Sequence, residues 1–353
     1  MKTLRILVLV HEDLVPPDKV DGIDLGNVEW KTEYDVVSML RGLGHEVRPL
    51  GVQNELVVIR NVVEEWKPHV AFNLLEEFSG IAVYDQNVVS YLELLKVHYT
   101  GCNPRGLMLA RDKAVAKKIL YYHRIPIPEF ITVPLGRSVK RPKDLTFPLI
   151  VKSVSEEASL GISQASIVED DDKLHERVKF IHQSIGTGAL VERYIEGREL
   201  YVGVLGNHRL RVFPVWELNM SGLPEEARPI ATARVKWSKT YQKKYGVVSG
   251  EATDLAESQR LAIQDLSKRV YRSLGLSGYA RIDFRLDAAG QVYVLEANPN
   301  PQIAKAEDFS DSAERAGLSY AALLQRILDL GMRWHTPVTP SDRTLSVPSR
   351  VGE

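Results

Sequence analysis

The run from Tyr279 to Asn298 constrains the fold of this chain more than any other stretch. Two arms with strand periodicity, Tyr279 to Leu286 and Gln291 to Ala297, flank Asp287-Ala-Ala-Gly290, a turn-rich connection that predicts an antiparallel hairpin. A four-residue loop pairs Leu286 with Gln291, Asp283 with Val294 and Arg281 with Glu296. Strand alternation then sends Ile282, Phe284, Leu286, Tyr293 and Leu295 into a core, and Arg281, Asp283, Glu296 and Asn298 to the opposite face. Three hard oxygen donors beside a cation suit Mg²⁺ holding phosphates rather than Zn²⁺. Taken alone, a hairpin with two carboxylates is more often a solvated polar face. The rest of the chain reverses that preference.

A chain of 353 residues exceeds one ordinary core and predicts two or three domains. Charged residues make up 26% and the net charge is -1, so no basic face points to nucleic acid as a partner. One cysteine, Cys102, excludes an internal disulfide framework, fits a reducing cytoplasm and reads as a packing residue. The apolar opening from Met1 to Val10 meets His11-Glu12-Asp13 with no small-residue cleavage site, so it reads as a first strand rather than a signal peptide. No stretch has the length and apolar character of a membrane span, and the expected partners exclude a membrane.

Residues 1–108 alternate strand and helix, the rhythm of a small parallel sheet covered by helices. Within it Asn54 is expected to cap a helix that runs to Trp66. A Lys-rich helix from Asp112 to His123 leads into Ile125-Pro126-Ile127-Pro128, a predicted interdomain hinge. Residues 109–190 read as a small α+β lid with strands at Phe147 to Ser153, Gln164 to Val168 and Ala189 to Tyr194. Residues 191–335 carry a hairpin around Gly206-Asn207, a long polar loop from Pro224 to Gly250, a helix from Leu255 to Leu274, the polar hairpin and one closing helix from Ser312 to Leu330. The Pro- and Ser-rich tail, 336–353, is expected to be disordered. The fold class expected is therefore α/β and α+β.

Two lysines have distinctive settings. Lys113 starts a helix after Arg111-Asp112, and Lys152 ends the apolar strand Pro148-Leu-Ile-Val before the Ser/Gly loop Ser153 to Ser163. A strand-end lysine in a cleft is costly unless it meets an anion. Backbone N–H groups and Ser159 in that loop suit phosphate oxygens. Leu190-Val-Glu-Arg-Tyr-Ile-Glu-Gly-Arg-Glu199 joins two apolar strands, where linker backbone can read an adenine edge and a carboxylate can hold ribose. Each lysine alone reads more readily as a surface residue, and the linker alone reads as well as a plain strand-turn-strand.

In this order the pieces resemble the ATP-grasp superfamily of carboxylate–amine ligases, most closely its D-alanine–D-alanine ligase branch, from about Phe72 to Gly331. The resemblance implies an ATP-grasp fold. It also implies roles residue by residue. Lys113 and Lys152 would contact ATP phosphates with Ser159. Glu192 and the backbone at Tyr194 and Ile195 would face adenine, and Glu199 the ribose. Lys244 would bind phosphate from a mobile loop. Asp283, Glu296 and Asn298 would hold two Mg²⁺ ions, with Mn²⁺ an acceptable substitute, and Arg281 would stabilise an oxyanion. A carboxylate would be phosphorylated and the acylphosphate attacked by an amine, both partners being small molecules. A homodimer and a cytoplasmic location follow by the same analogy.

The departures fall on substrate recognition. Val10-His-Glu-Asp-Leu-Val-Pro-Pro replaces the branch's Gly-rich signature, Ala158 stands at a lid serine, and Tyr245 matches that serine's tyrosine partner. Glu76-Glu77 replaces a His-Gly pair, and Pro299-Asn-Pro-Gln-Ile-Ala-Lys-Ala replaces the segment that cradles the second D-alanine, with Gln302 at its glycine. Ligation of another amino acid, small peptide or carboxylate is the first expectation. A D-alanine–D-alanine ligase with a variant pocket, a non-catalytic nucleotide-binding regulator and a phosphorylating enzyme without ligation are the alternatives. His11, Glu12, Lys305 and Arg315 are further candidates for contact with substrate.

Overall fold

A computed structural model of the chain describes residues 3–26, 28–155 and 161–334. Ala158, Ser159 and the tail at 336–353 lie outside the described residues. Three sheets make up the architecture of the described residues. The first is parallel, with strands β1 (Arg5–His11), β2 (Glu46–Val52) and β3 (Val70–Asn73) in the order β2-β1-β3. Ile6 to Val10 are fully buried in succession, as a strand covered on both faces requires.

Helix α1 (Lys31–Gly42) buries Val36, Val37 and Leu40, and the chain leaves it through Gly44 at φ 84. Helix α2 (Val57–Trp66) begins at Leu56 with no side-chain cap, so Asn54 does not cap it as expected. The apolar run from Leu56 sets the start instead. Helix α3 spans Asp85–Leu94. The sequence reading missed α4 (Pro104–Arg111), although Asn103 caps it by accepting from Gly106 N at 3.0 Å and proline occupies its first turn. Asp112 then caps α5 (Lys113–Tyr122), its Oδ1 accepting from Ala114 N and Val115 N at 2.9 Å each. This cap fixes where Lys113 starts its helix.

The second sheet is antiparallel. Its strands are β4 (Phe130–Val133), β5 (Leu149–Ser153), β6 (Ile167–Val168) and β7 (Ala189–Arg193), in the order β4-β7-β5-β6, with α6 (Asp171–Phe180) packed on it. Leu149, Val151, Val191, Leu174 and Val178 form its core. Strand β4 was not foreseen, since Phe130 to Val133 is short and flanked by prolines. The segment Ile125 to Pro128 is anchored rather than a bare hinge: Ile125 is buried and the Pro126 carbonyl accepts from Val294 N at 2.9 Å.

The third sheet is also antiparallel and orders as β10-β9-β8-β11-β12. It comprises β8 (Arg198–Leu205), β9 (Arg211–Asn219), β10 (Val248–Glu251), β11 (Tyr279–Leu286) and β12 (Val292–Pro299). The expected long loop between β9 and β10 is a correction. It holds two short helices, α7 (Ala233–Trp237) and α8 (Lys239–Tyr245), capped by Thr232 and Ser238. Helix α9 (Glu257–Ser273) packs against the sheet. The single closing helix is likewise two, α10 (Asp308–Arg315) and α11 (Tyr320–Met332), because Gly317 turns the chain at φ 80.

One continuous core runs from Leu7 and Leu9 of β1 through Val88 and Leu92 of α3 to Leu200, Val202, Ile282 and Phe284 of the third sheet. The first and third sheets therefore brace one another, and two passages, 123–129 into β4 and 194–197 out of β7, link them to the second sheet. No helix among the described residues is long and apolar enough to cross a membrane.

Candidate functional site

The floor of the site is the polar face of β11 and β12. Their register differs from the expected one: Leu286 pairs with Val292 across a loop that holds 287–291, and Phe284 pairs with Val294. Continued regularly, that pairing would set Glu296 opposite Ile282, in the core. Leu295 is left unpaired as a β-bulge, and the register resumes with Asp283 opposite Glu296 and Arg281 opposite Asn298. The four residues share a face as expected. Tyr293 and Leu295 do not join the core; Val294 and Ala297 do, at 0% and 3% exposure.

Arg281 grips Asp283 with two hydrogen bonds, Nε to Oδ1 at 2.7 Å and Nη2 to Oδ2 at 2.9 Å. Asn298 Nδ2 donates to Asp283 Oδ2 at 3.0 Å, and the guanidinium lies 4.6 Å over the Tyr201 ring. Burial, helped by the neighbouring Glu296 carboxylate, leaves the Asp283 carboxyl raised despite the Arg281 guanidinium. Glu296 behaves oppositely: burial pushes it up, but Lys113, Lys236, Lys152 and Arg281 hold it well below the usual carboxylate range. The Lys113 ammonium stands 3.4 Å from Glu296 Oε2.

Above this floor is a cleft between the second and third sheets. Ile150, Ile162, Ile230 and Leu295 give it apolar walls, and Lys152, Glu192, Tyr194, Glu199, Lys236 and Arg285 line the rest. Glu192 is 1% exposed and sits between two ammonium groups, Lys152 at 2.5 Å and Lys117 at 2.8 Å. Burial would raise this carboxyl, yet the two lysines drive it below its ordinary value. Burial lowers Lys117 more than Glu192 raises it. Lys152 feels the same desolvation, but Glu192, Glu296 and Glu199 together leave it raised. Glu199 accepts from Arg285 Nη2 and from Tyr201 OH, each at 2.8 Å.

The structure thus brings together Lys113, Lys152, Glu192, Tyr194, Ile195, Glu199, Arg281, Asp283, Glu296 and Asn298. Lys244 is the exception. Its ammonium lies 4.9 Å from the Tyr245 ring and it is not among the residues lining the cleft. The cation that the α7–α8 loop turns toward Asp283 and Glu296 is Lys236. Ser159 lies outside the described residues. Sequence reasoning missed Lys117, Lys236 and Arg285. Lys117 follows Lys113 by four on α5, which puts both on one helix face, and Arg285 follows Arg281 and Asp283 on alternate positions of β11. Those two spacings were legible; nothing singled out Lys236.

The donor chemistry suits a nucleotide with a divalent cation. Flat apolar walls accept a base, and lysines accept phosphates. Asp283, Glu296 and the Asn298 amide supply only oxygen donors to a metal, while among the described residues no group of three His, Cys, Asp or Glu forms a cage. So small a set leaves most of an octahedral shell to phosphate and water, the habit of Mg²⁺.

Comparison with known proteins agrees. Residues 120–329, more than half of the chain, match the family described as "D-ala D-ala ligase C-terminus". The D-alanine–D-alanine ligase of Desulforudis audaxviator is 31% identical over 313 residues, 86% of this chain and 93% of that protein. The uncharacterized protein y4sG of Sinorhizobium fredii is 33% identical over 264 residues, 75% of each chain. The crystal structure of the D-alanine–D-alanine ligase from Bacillus anthracis complexed with ATP has the same fold, with TM-score 0.71 at 24% identity over 94% of this chain and 98% of that one. The chain therefore belongs to the D-alanine–D-alanine ligase family of ATP-grasp enzymes, and is an ATP-dependent ligase that joins a carboxylate to an amine.

Proposed function

We propose that this chain joins an amino acid or small peptide to an amine through an acylphosphate, and that its substrates differ from a pair of D-alanines. The observation that carries the reading is a complete nucleotide-binding set beside substrate segments that depart from the family's pattern. The lysine and carboxylate set around Glu296 stands complete, while Glu76-Glu77 and Gln302 occupy the substrate side.

In this reading Ile150, Ile162, Ile230 and Leu295 sandwich adenine, and the backbone at Tyr194 and Ile195 reads its edge. Lys152 and Lys113 hold phosphates, with Lys236 taking the part first expected of Lys244. Glu199 reaches the ribose by exchanging its bond with Arg285. Asp283, Glu296 and Asn298 would hold Mg²⁺, which neutralises charge on the phosphates when bound. Arg281 keeps Nη1 without a hydrogen bond among the described residues, so it can meet an oxyanion while Asp283 fixes its plane. Residues 109–190 act as a lid that excludes water from the acylphosphate.

A second reading, D-alanine dipeptide formation in a variant pocket, draws support from the relatives that carry that name, such as that of Desulforudis audaxviator at 93% coverage. The altered segment at Gln302 weighs against it. Mg²⁺-dependent ADP release across paired amino acids, with products weighed by mass spectrometry, separates the two. A product equal to two substrates minus water, formed from a pair other than D-alanine, is the expected result. Dipeptide from D-alanine alone would establish the second reading, and ADP with a phosphorylated product would refute ligation.

A further inference from the structure

Several carboxylates gather where the parallel sheet ends, away from the nucleotide cleft. Glu33 lies in the first turn of α1 and is 5% exposed, and its Oε2 has no hydrogen-bond partner among the described residues. Glu76 and Glu77 follow β3, and His11 ends β1. The field of Glu76 reaches Glu33 and raises it further after burial has done most of the work, to about 7. Glu76 is itself open to solvent yet pushed up by the protein walls around it, as a side chain in a cleft would be.

The nearby cations are engaged. Arg111 is 3% exposed and binds Asp85 Oδ2 through Nε at 3.0 Å and Nη2 at 2.6 Å. His11 Nε2 stands 3.4 Å from Glu77 Oε1. Lys31 meets Asp35 at 3.2 Å and the Lys305 carbonyl at 2.6 Å. Arg111 also draws Glu76 downward at longer range, but neither Glu33 nor Glu76 forms an ion pair with a described residue, which leaves two carboxylates open to a cation. A buried carboxylate without a partner is costly and marks a place where a cation is missing.

The cluster also adjoins the reacting end of the site. Thr32, next to Glu33, accepts from Gln302 Nε2 at 3.4 Å, and Gln302 lies four residues beyond Asn298. Asn300, between them, has Nδ2 without a partner among the described residues.

One ammonium, the α-amino group of a donor amino acid, answers one of the two acceptors. Building on the ligase reading above, we propose that this pocket takes a donor amino acid with a second positive charge, an ammonium or guanidinium on its side chain, held between Glu33 and Glu76. Glu33 would be the buried contact of that amino acid and Glu76 the exposed one.

The test is equilibrium binding. Full-length protein with Mg²⁺ and the non-hydrolysable analogue AMP-PNP is titrated calorimetrically with both enantiomers of lysine, ornithine and arginine, against norleucine, norvaline and citrulline as uncharged counterparts. One enantiomeric series is expected to bind at least tenfold more tightly when its side chain is charged. One of Glu33→Gln and Glu76→Gln should cut that ratio below threefold, and the other should weaken the charged and uncharged series alike. Glu76 is solvent-open, so its variant keeps the fold even where Glu33→Gln disturbs α1, and a thermal melt checks this. Equal binding of charged and uncharged side chains, no binding of any of them, or a preference that survives both variants would overturn the proposal. Each of those results leaves ligation itself standing, because that rests on the condensed product and not on these affinities.

Discussion

Replacing Glu192 by glutamine removes the carboxylate that Lys117 and Lys152 both contact. Its oxygens lie 2.8 Å from Lys117 and 2.5 Å from Lys152, at 1% exposure. Breaking one buried ion pair costs about 3–5 kcal/mol, because a charge is left without an answer. Here the cost is capped, since Lys117 can shed its proton. Burial already lowers its pKa, and Lys152 adds to that. Each further unit of that shift costs about 1.4 kcal/mol. We expect a loss of about 3 kcal/mol at pH 7.5, a fall in Tm of roughly 4 °C for a chain of 353 residues. The sign with pH follows from linkage. A lysine whose folded pKa lies below its unfolded one binds fewer protons when folded, so stability rises with pH through that window. Circular-dichroism melts of wild type and Glu192→Gln at pH 7.5 and pH 10 should show the gap narrowing at pH 10. A Tm within 1 °C of wild type at pH 7.5, or a gap that widens at pH 10, would refute the argument.

Glu296→Gln should lower Mg²⁺-dependent ADP release by roughly a thousandfold, because the phosphates lose a metal ligand; more than a tenth of wild-type turnover would sink its assignment. Lys236→Met should cost about a hundredfold in kcat/KM for ATP, the scale of one lost charge-stabilising donor, while Lys244→Met stays within about threefold. The reverse order would restore the sequence-based choice of Lys244. Cys102 is fully buried, and burial pushes its thiol up to about 12. It should resist Ellman's reagent at pH 8 in the folded enzyme and react once urea unfolds it; rapid labelling of the native protein would contradict its packing.

The sequence was most readable where one local pattern decided the outcome. Alternation through Arg281 and Asp283 gave the polar face of β11, and the apolar strand ending at Lys152 placed that lysine at the cleft. Caps were legible but unevenly used: Asn103-Pro104 announces α4 as clearly as Asp112 announces α5. What escaped were pairings between distant segments. Nothing near Glu192 says that Lys117, 75 residues earlier, will share it with Lys152. Nor does polarity in 224–250 reveal that Thr232 and Ser238 cap two helices and so turn Lys236, not Lys244, toward Glu296. Charge contacts of this kind are set by how sheets stack, which no short window of sequence contains.

The unpaired Leu295 also works as a parity device. A tight four-residue turn with no bulge would put Glu296 on the same face but abreast of Arg281, staggered by two residues from Asp283. The longer turn plus one extra strand residue keeps the side and closes the stagger, setting the two carboxylates directly abreast. Length changes in this hairpin are therefore coupled: a residue lost from the turn is tolerable only with the bulge lost too, and either change alone reverses which side chains meet the phosphates and which meet the core. A substitution along the strand keeps this register, whereas insertions and deletions keep it only in pairs.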